Sequence, residues 1–128
     1  MQDYIISNEY CAIYLNNKLS HIVEKKGMYE DNIDNFNIHH KNFGGKNILH
    51  STLDNKIIKF AKDVFNKIPK WIKEDPFIIY ERIDILSNKL NMNLYLLEIE
   101  AFVPDIFLRE SGNINKYCKL IKKLFKKI

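Results

Sequence analysis

The chain is poor in the residues that hold a small protein together by cross-links or sharp turns: two cysteines, four glycines, three prolines and one tryptophan in 128 residues. Cys11 and Cys118 are too few and too far apart in sequence for a disulfide framework, and no Cys-x-x-Cys pair offers a zinc site. Both thiols therefore read as reduced and the setting as cytoplasmic. No apolar run approaches the ~20 residues of a membrane span, so no membrane partner is expected. Met1 to Ser7 has neither the basic start nor the apolar stretch of a signal peptide. Gly/Ser linkers, low-complexity blocks and internal repeats are missing too, which leaves a single domain over 1–128. Alanine and arginine are scarce beside asparagine, isoleucine and lysine, a sign of codon bias rather than of physics.

What is present suffices for one core: 46% of the residues are hydrophobic and 12% aromatic. The net charge of +4 arises from lysines, many of them in the last dozen residues. A basic helix there is the footprint expected of a nucleic-acid binder. Its lysines, however, surround an apolar stripe evenly and no aromatics interleave on the charged side, so the reading is a solvated face without nucleic acid. His39-His40 has no cysteine or carboxylate at ligand spacing and reads as solvated loop. Trp71, between Pro69 and Pro76, reads as a loop anchor.

Hydrophobic periodicity orders the chain. Glu9 to Leu15 and Lys18 to Lys25 alternate on either side of Asn16-Asn17, predicting a hairpin. Lys26 to His50 is weak, with Gly44-Gly45 in it, and predicts a long loop holding one short strand. Ile57, Ile58, Ala61, Val64, Phe65 and Ile68 recur at helical spacing, with Thr52 or Asp54 as N-cap and Pro69 past the end. Phe77 to Leu86 and Met92 to Phe102 form a second hairpin, which Pro104 ends. From Asn113 a helix aligns Ile114, Tyr117, Ile121, Leu124, Phe125 and Ile128. The fold class expected is α+β, an antiparallel sheet packed on two helices.

The second hairpin carries the chemistry. In Tyr80-Glu81-Arg82-Ile83-Asp84 and Leu96-Leu97-Glu98-Ile99-Glu100, charged residues are spaced i, i+2, so Arg82 and Asp84 share one face of their strand, as do Glu98 and Glu100. Ile83, Ile85, Leu97 and Ile99 then point the other way, toward a core. If Asn88 to Asn93 is a loop centred on Asn91, Asp84 faces Glu98 and Arg82 faces Glu100. Facing like charges, with Cβ atoms about 5 Å apart, repel. A divalent cation relieves that conflict, and clustered hard oxygens suit magnesium. Arg82 beside them suits a phosphoryl oxygen. On spacing alone, a solvated face with salt bridges across the hairpin fits equally well.

These residues carry a resemblance. Tyr80-Glu81-Arg82-Ile83-Asp84 followed by Leu97-Glu98-Ile99-Glu100 and Pro104 resembles the Tyr-x-Arg-Val-Asp and Glu-Leu-Glu-Leu-Ile-Glu-Pro segments of ATP-grasp ligases of the glutathione-synthetase-like group. Upstream, Glu9-Tyr10-Cys11 resembles their Gly-Glu-Tyr-Ser strand, and Ser20-His21-Ile22-Val23 their Ser-His-Ala-Val strand. Phe36 through Phe43-Gly44-Gly45 is similar to their Phe-Arg-Val-Gln and Tyr-Gly-Gly segments. The chain departs at Asn37, where the family has Arg, and at Val103, where it has Glu.

The resemblance implies the C-terminal ATP-grasp subdomain and a carboxylate-amine ligase that works through an acyl phosphate, with ATP and Mg2+ as cofactors and a small carboxylate and an amine as substrates. It assigns magnesium to Asp84, Glu98 and Glu100, with Glu98 bridging two ions. Arg82 takes the catalytic, phosphoryl-steadying role, and His21 and Lys25 lie on the strand facing the nucleotide cleft. It also implies that the N-terminal ATP-grasp half lies elsewhere: either a partner chain supplies it, or the chain is a fragment or degenerate copy. A non-catalytic remnant or interaction module keeping the fold is the alternative.

Overall fold

A computed structural model of the chain describes residues 7–26, 46–49, 54–75, 78–88, 91–101 and 104–125. Strands β1 (Ser7–Leu15) and β2 (Lys18–Lys26) form the first predicted hairpin. Asn16 and Asn17 turn it with φ of 50° and 62°, the paired left-handed conformation that twists a two-residue loop to suit its strands and that asparagine tolerates. Strand β3 (Lys46–Leu49) is the one short strand expected between Lys26 and His50; Phe36, His39-His40 and Gly44-Gly45 lie outside the described residues.

Helix α1 (Asn55–Lys67) starts at Asp54, whose carboxylate accepts from the Lys56 amide at 2.9 Å. That bond satisfies one of the amides a helix start leaves open. Asp54→Ala is expected to cost about 1 kcal/mol, seen as a melting point lower by about 3–4 °C; an unchanged melting point would show the cap to be idle. A single-turn helix α2 (Lys70–Lys73) follows. Strands β4 (Tyr80–Asn88) and β5 (Leu94–Glu100) make the second hairpin, and α3 (Leu108–Ser111) and α4 (Ile114–Phe125) end the described chain.

All strand pairs are antiparallel and the sheet runs β3-β2-β1-β4-β5, with β1 at its centre. Because side chains alternate along a strand, the sheet builds two cores. On one face Ala12, Tyr14, Ile22, Ile83 and Ile85 meet Ile57, Ala61 and Phe65 of α1, and the Tyr14 and Phe65 rings stack with centroids 4.0 Å apart. On the other, Cys11, Ile13, Leu15 and Val23 meet Ile106 and Phe107, with Tyr117 and Leu120 of α4 packed against them. The sheet is thus the middle of three layers.

The α+β class is as expected, but four helices rather than two are found among the described residues, the extra pair being single turns. Trp71 does not anchor a loop: it lies in α2 and is 72% exposed, while its neighbour Ile72 packs inward. Helix α4 is rotated from the predicted stripe, since Tyr117 and Leu120 make the contact and Ile114 is exposed. Its lysines Lys116, Lys119, Lys122 and Lys123 are exposed. Among the described residues no helix is long and apolar enough to cross a membrane.

Candidate functional site

The register of the second hairpin is the one the sequence predicts at its charged end: Arg82 pairs with Glu100, Ile83 with Ile99 and Asp84 with Glu98. Beyond Asp84 the pairing slips, so that Ile85 faces Leu96 and Leu97 is the extra residue of a bulge. The apolar side departs from expectation. Ile83 and Ile85 are fully buried, whereas Leu97 and Ile99 are exposed, because β5 is the edge strand and the strand residues buried under α1 come from β1, β2 and β4.

Pairing of β1 with β2 and β4 widens the site. Cys11 lies between Val23 and Asp84, and Glu9 faces Lys25, so Glu9, Cys11, Lys25, Arg82, Asp84, Glu98 and Glu100 all occupy the face that α3 and α4 share. Arg82 binds Asp84 in two-pronged fashion, its Nε 2.8 Å from Oδ1 and a terminal nitrogen 2.9 Å from Oδ2. It also reaches Glu100 at 2.7 Å and donates to the Asp105 carbonyl at 3.3 Å. Lys25 pairs tightly with Glu9 and stands 3.9 Å from Asp84. Burial works against the charge of both cations, yet Cys11, Glu9 and Asp84 around Lys25, and Asp84, Cys11 and Glu100 around Arg82, outweigh it and raise both pKa values, so both stay charged.

Two cations thus serve three clustered carboxylates, and Glu98 adds a fourth from the exposed side. Asp84 is 2% exposed while Glu100 is partly open, so a cation or phosphate would approach from β5. By donor type, Asp84, Glu98 and Glu100 fit magnesium, which favours hard oxygens. The neighbouring Glu9, Cys11 and Asp84 place one ligand atom each within 4.8 Å of one another. Their fit to a metal is poor. Burial, and then the Asp84 charge, push the Cys11 thiol far above its ordinary pKa, so it remains a protonated thiol, neither a ligand nor a nucleophile at neutral pH.

His21 is on the same face but engaged elsewhere. One ring nitrogen lies 2.8 Å from the Ile106 carbonyl, and the other is near Ser20 Oγ and Asn113 Nδ2 at 3.0 and 3.2 Å. The neutral ring meets this pattern, donating to the carbonyl and accepting from the hydroxyl and amide. Burial, chiefly, lowers its pKa, and Lys116 acts in the same direction. The structure therefore brings together Lys25, Arg82, Asp84 and Glu100, sets Glu98 across from Asp84, and uses His21 to tie β2 to the segment before α3. Sequence reasoning missed Glu9 as a member of the cluster, although its alternation with Cys11 along β1 marked the face.

Compared with protein-family models, with curated proteins and with solved structures, the chain gives no match.

Proposed function

We propose that this face binds a magnesium-nucleotide and forms one half of an ATP-dependent carboxylate-amine ligase of the ATP-grasp type. What supports the reading above all is the register, which sets Asp84, Glu98 and Glu100 on one face with Arg82 between two of them. The fold is compatible with the C-terminal ATP-grasp subdomain, and a complementary half closes over the nucleotide. Arg82 presents a planar fork of donors suited to a phosphoryl group as well as to carboxylates. Lys25 supplies a second cation beside Asp84.

In such a ligase a substrate carboxylate oxygen attacks the terminal phosphorus of ATP, and ADP leaves. The amine then attacks the acyl carbon, a carbon–nitrogen bond forms, the carbon–oxygen bond breaks, phosphate departs with its electron pair, and the nitrogen's surplus proton passes to solvent. Charge spreads over phosphoryl oxygens throughout, so the chain's contribution is positioned charge rather than covalent chemistry. Magnesium, when bound, supplies further neutralisation of those oxygens. Asp84, Glu98 and Glu100 are the residues that would hold it.

One observation favours a second reading, a non-catalytic module of the same fold: both Asp84 oxygens already accept from Arg82. Calorimetry with Mg-ATP separates the two. The ligase reading expects a higher melting point, by ligand linkage about 2.7 kcal/mol at a hundred times Kd, that vanishes in Glu98→Gln and Asp84→Asn. A folded chain that shows no shift at millimolar Mg-ATP leaves the module.

A further inference from the structure

The opposite face of the sheet holds a cavity of about 700 Å3, within the size range of small-molecule sites. It lies between α1, α2 and the edge strand, and Phe60, Val64, Ile72, Leu96 and Ile99 are among its walls. The exposure of Leu96 and Ile99 is the open side of this cavity. Asp63 and Lys67 line it as exposed residues, and Asp63 pairs with Lys59 at 2.7 Å.

One lining residue does not belong in an apolar wall. Glu81 is 1% exposed and neither carboxyl oxygen has a hydrogen-bond partner. The hydroxyl of Tyr14, its cross-strand neighbour, is also buried without a partner. Buried polar groups are nearly always satisfied, and a lone carboxyl in a low-dielectric wall is among the most costly exceptions. Glu81 takes no part in the ion network, which lies on the other face. Lys73 is the cation whose charge acts on it, but its ammonium lies over the Phe65 ring at 5.3 Å and reaches the Asn66 carbonyl.

What the wall lacks is a donor, and preferably a positive one. Once ionised, above about pH 7, this carboxyl only accepts, so a purely apolar ligand would leave both oxygens orphaned and an anionic one would be repelled. An ammonium offers three donors and one positive charge. We propose that this cavity binds a small amphiphilic amine, its apolar body against α1 and β5 and its protonated amine on the Glu81 carboxylate. The site is independent of the nucleotide face.

Titration of the whole chain with hexylamine, hexanol and hexanoate, followed by amide NMR shifts along α1 and β5, tests this. Hexylamine should bind at least about tenfold tighter than hexanol, the worth of one charge-assisted hydrogen bond, and hexanoate more weakly than either. Glu81→Gln should erase the advantage of the amine, and Leu96→Trp, at an exposed strand position, should block amine and alcohol alike. Equal affinities for amine and alcohol, an advantage that survives Glu81→Gln, or no shifts along α1 and β5 at millimolar amine would overturn the proposal.

Discussion

Arg82→Met is expected to lower the unfolding free energy by about 3–5 kcal/mol, the range found when one partner of a buried ion pair is removed. Asp84 is 2% exposed and takes its short hydrogen bonds from Arg82. Methionine keeps much of the stem's packing but leaves that carboxylate beside Glu9, with Lys25 3.9 Å away and already paired to Glu9. The loss is therefore the desolvation of an uncompensated charge rather than a lost contact. Urea unfolding should show it as a lower midpoint at unchanged slope. A double variant, Arg82→Met with Asp84→Leu, should recover most of the stability, because removing both charges removes the desolvation as well. If the single variant unfolds at the same urea concentration as the parent, the network holds nothing together.

Glu81→Gln is expected to act in the opposite direction, and only above a certain pH. Burial pushes the Glu81 carboxyl up to about 7 from an ordinary 4.5, partly offset by Lys73. Below about pH 4.5 the carboxyl is protonated in folded and unfolded chains alike and contributes no pH dependence. Between about 4.5 and 7 the unfolded chain has released a proton that the folded one keeps, so stability falls as pH rises, by up to about 1.4 kcal/mol per pH unit. Above about 7 the penalty is complete, on the order of 3 kcal/mol.

Glutamine resembles the protonated acid in shape and polarity. The variant should match the parent near pH 4.5 and exceed it above pH 7. Asp63 and Lys67 of α1, Lys73 of α2 and Tyr14 of β1 face the same region, but they are common to both proteins, as is His21, and cancel in the difference. Stability curves for parent and Glu81→Gln that coincide from pH 4.5 to 8 would show that Glu81 is solvated. A residue whose removal stabilises the free chain, while abolishing amine binding, is what a site held open for a ligand looks like.

Much of the site was legible because parity along a strand is a local property. The i, i+2 spacing assigns Arg82 with Asp84 and Glu98 with Glu100 to common faces, but the Asn88–Asn93 loop and the bulge together set which of them meet: the loop pairs Ser87 with Leu94 and alone would put Asp84 opposite Leu97. In the fold, the Asn88 amide donates to the Asn93 carbonyl at 3.0 Å and Met92 adopts a φ of 57°. The Asn16-Asn17 turn, the Asp54 cap and the stop at Pro69 are likewise written in adjacent residues. The bulge at Leu97 was not, since one extra residue in a strand leaves the alternation on either side of it intact.

The sequence by itself determined the strands, the two long helices and which charged residues share a face of the second hairpin, because each follows from side-chain direction and turn chemistry within a few residues. Tertiary structure alone decided what surrounds them. Seating β1 between β2 and β4 brought Glu9, Cys11 and Lys25 to Asp84 and turned a row of acids into an ion network. The packing of α1 and α2 against this face of the sheet left Glu81 buried and unpartnered beside an open apolar wall. Strand order and helix coverage are set by how volumes pack between residues distant in the chain, and no local pattern encodes that.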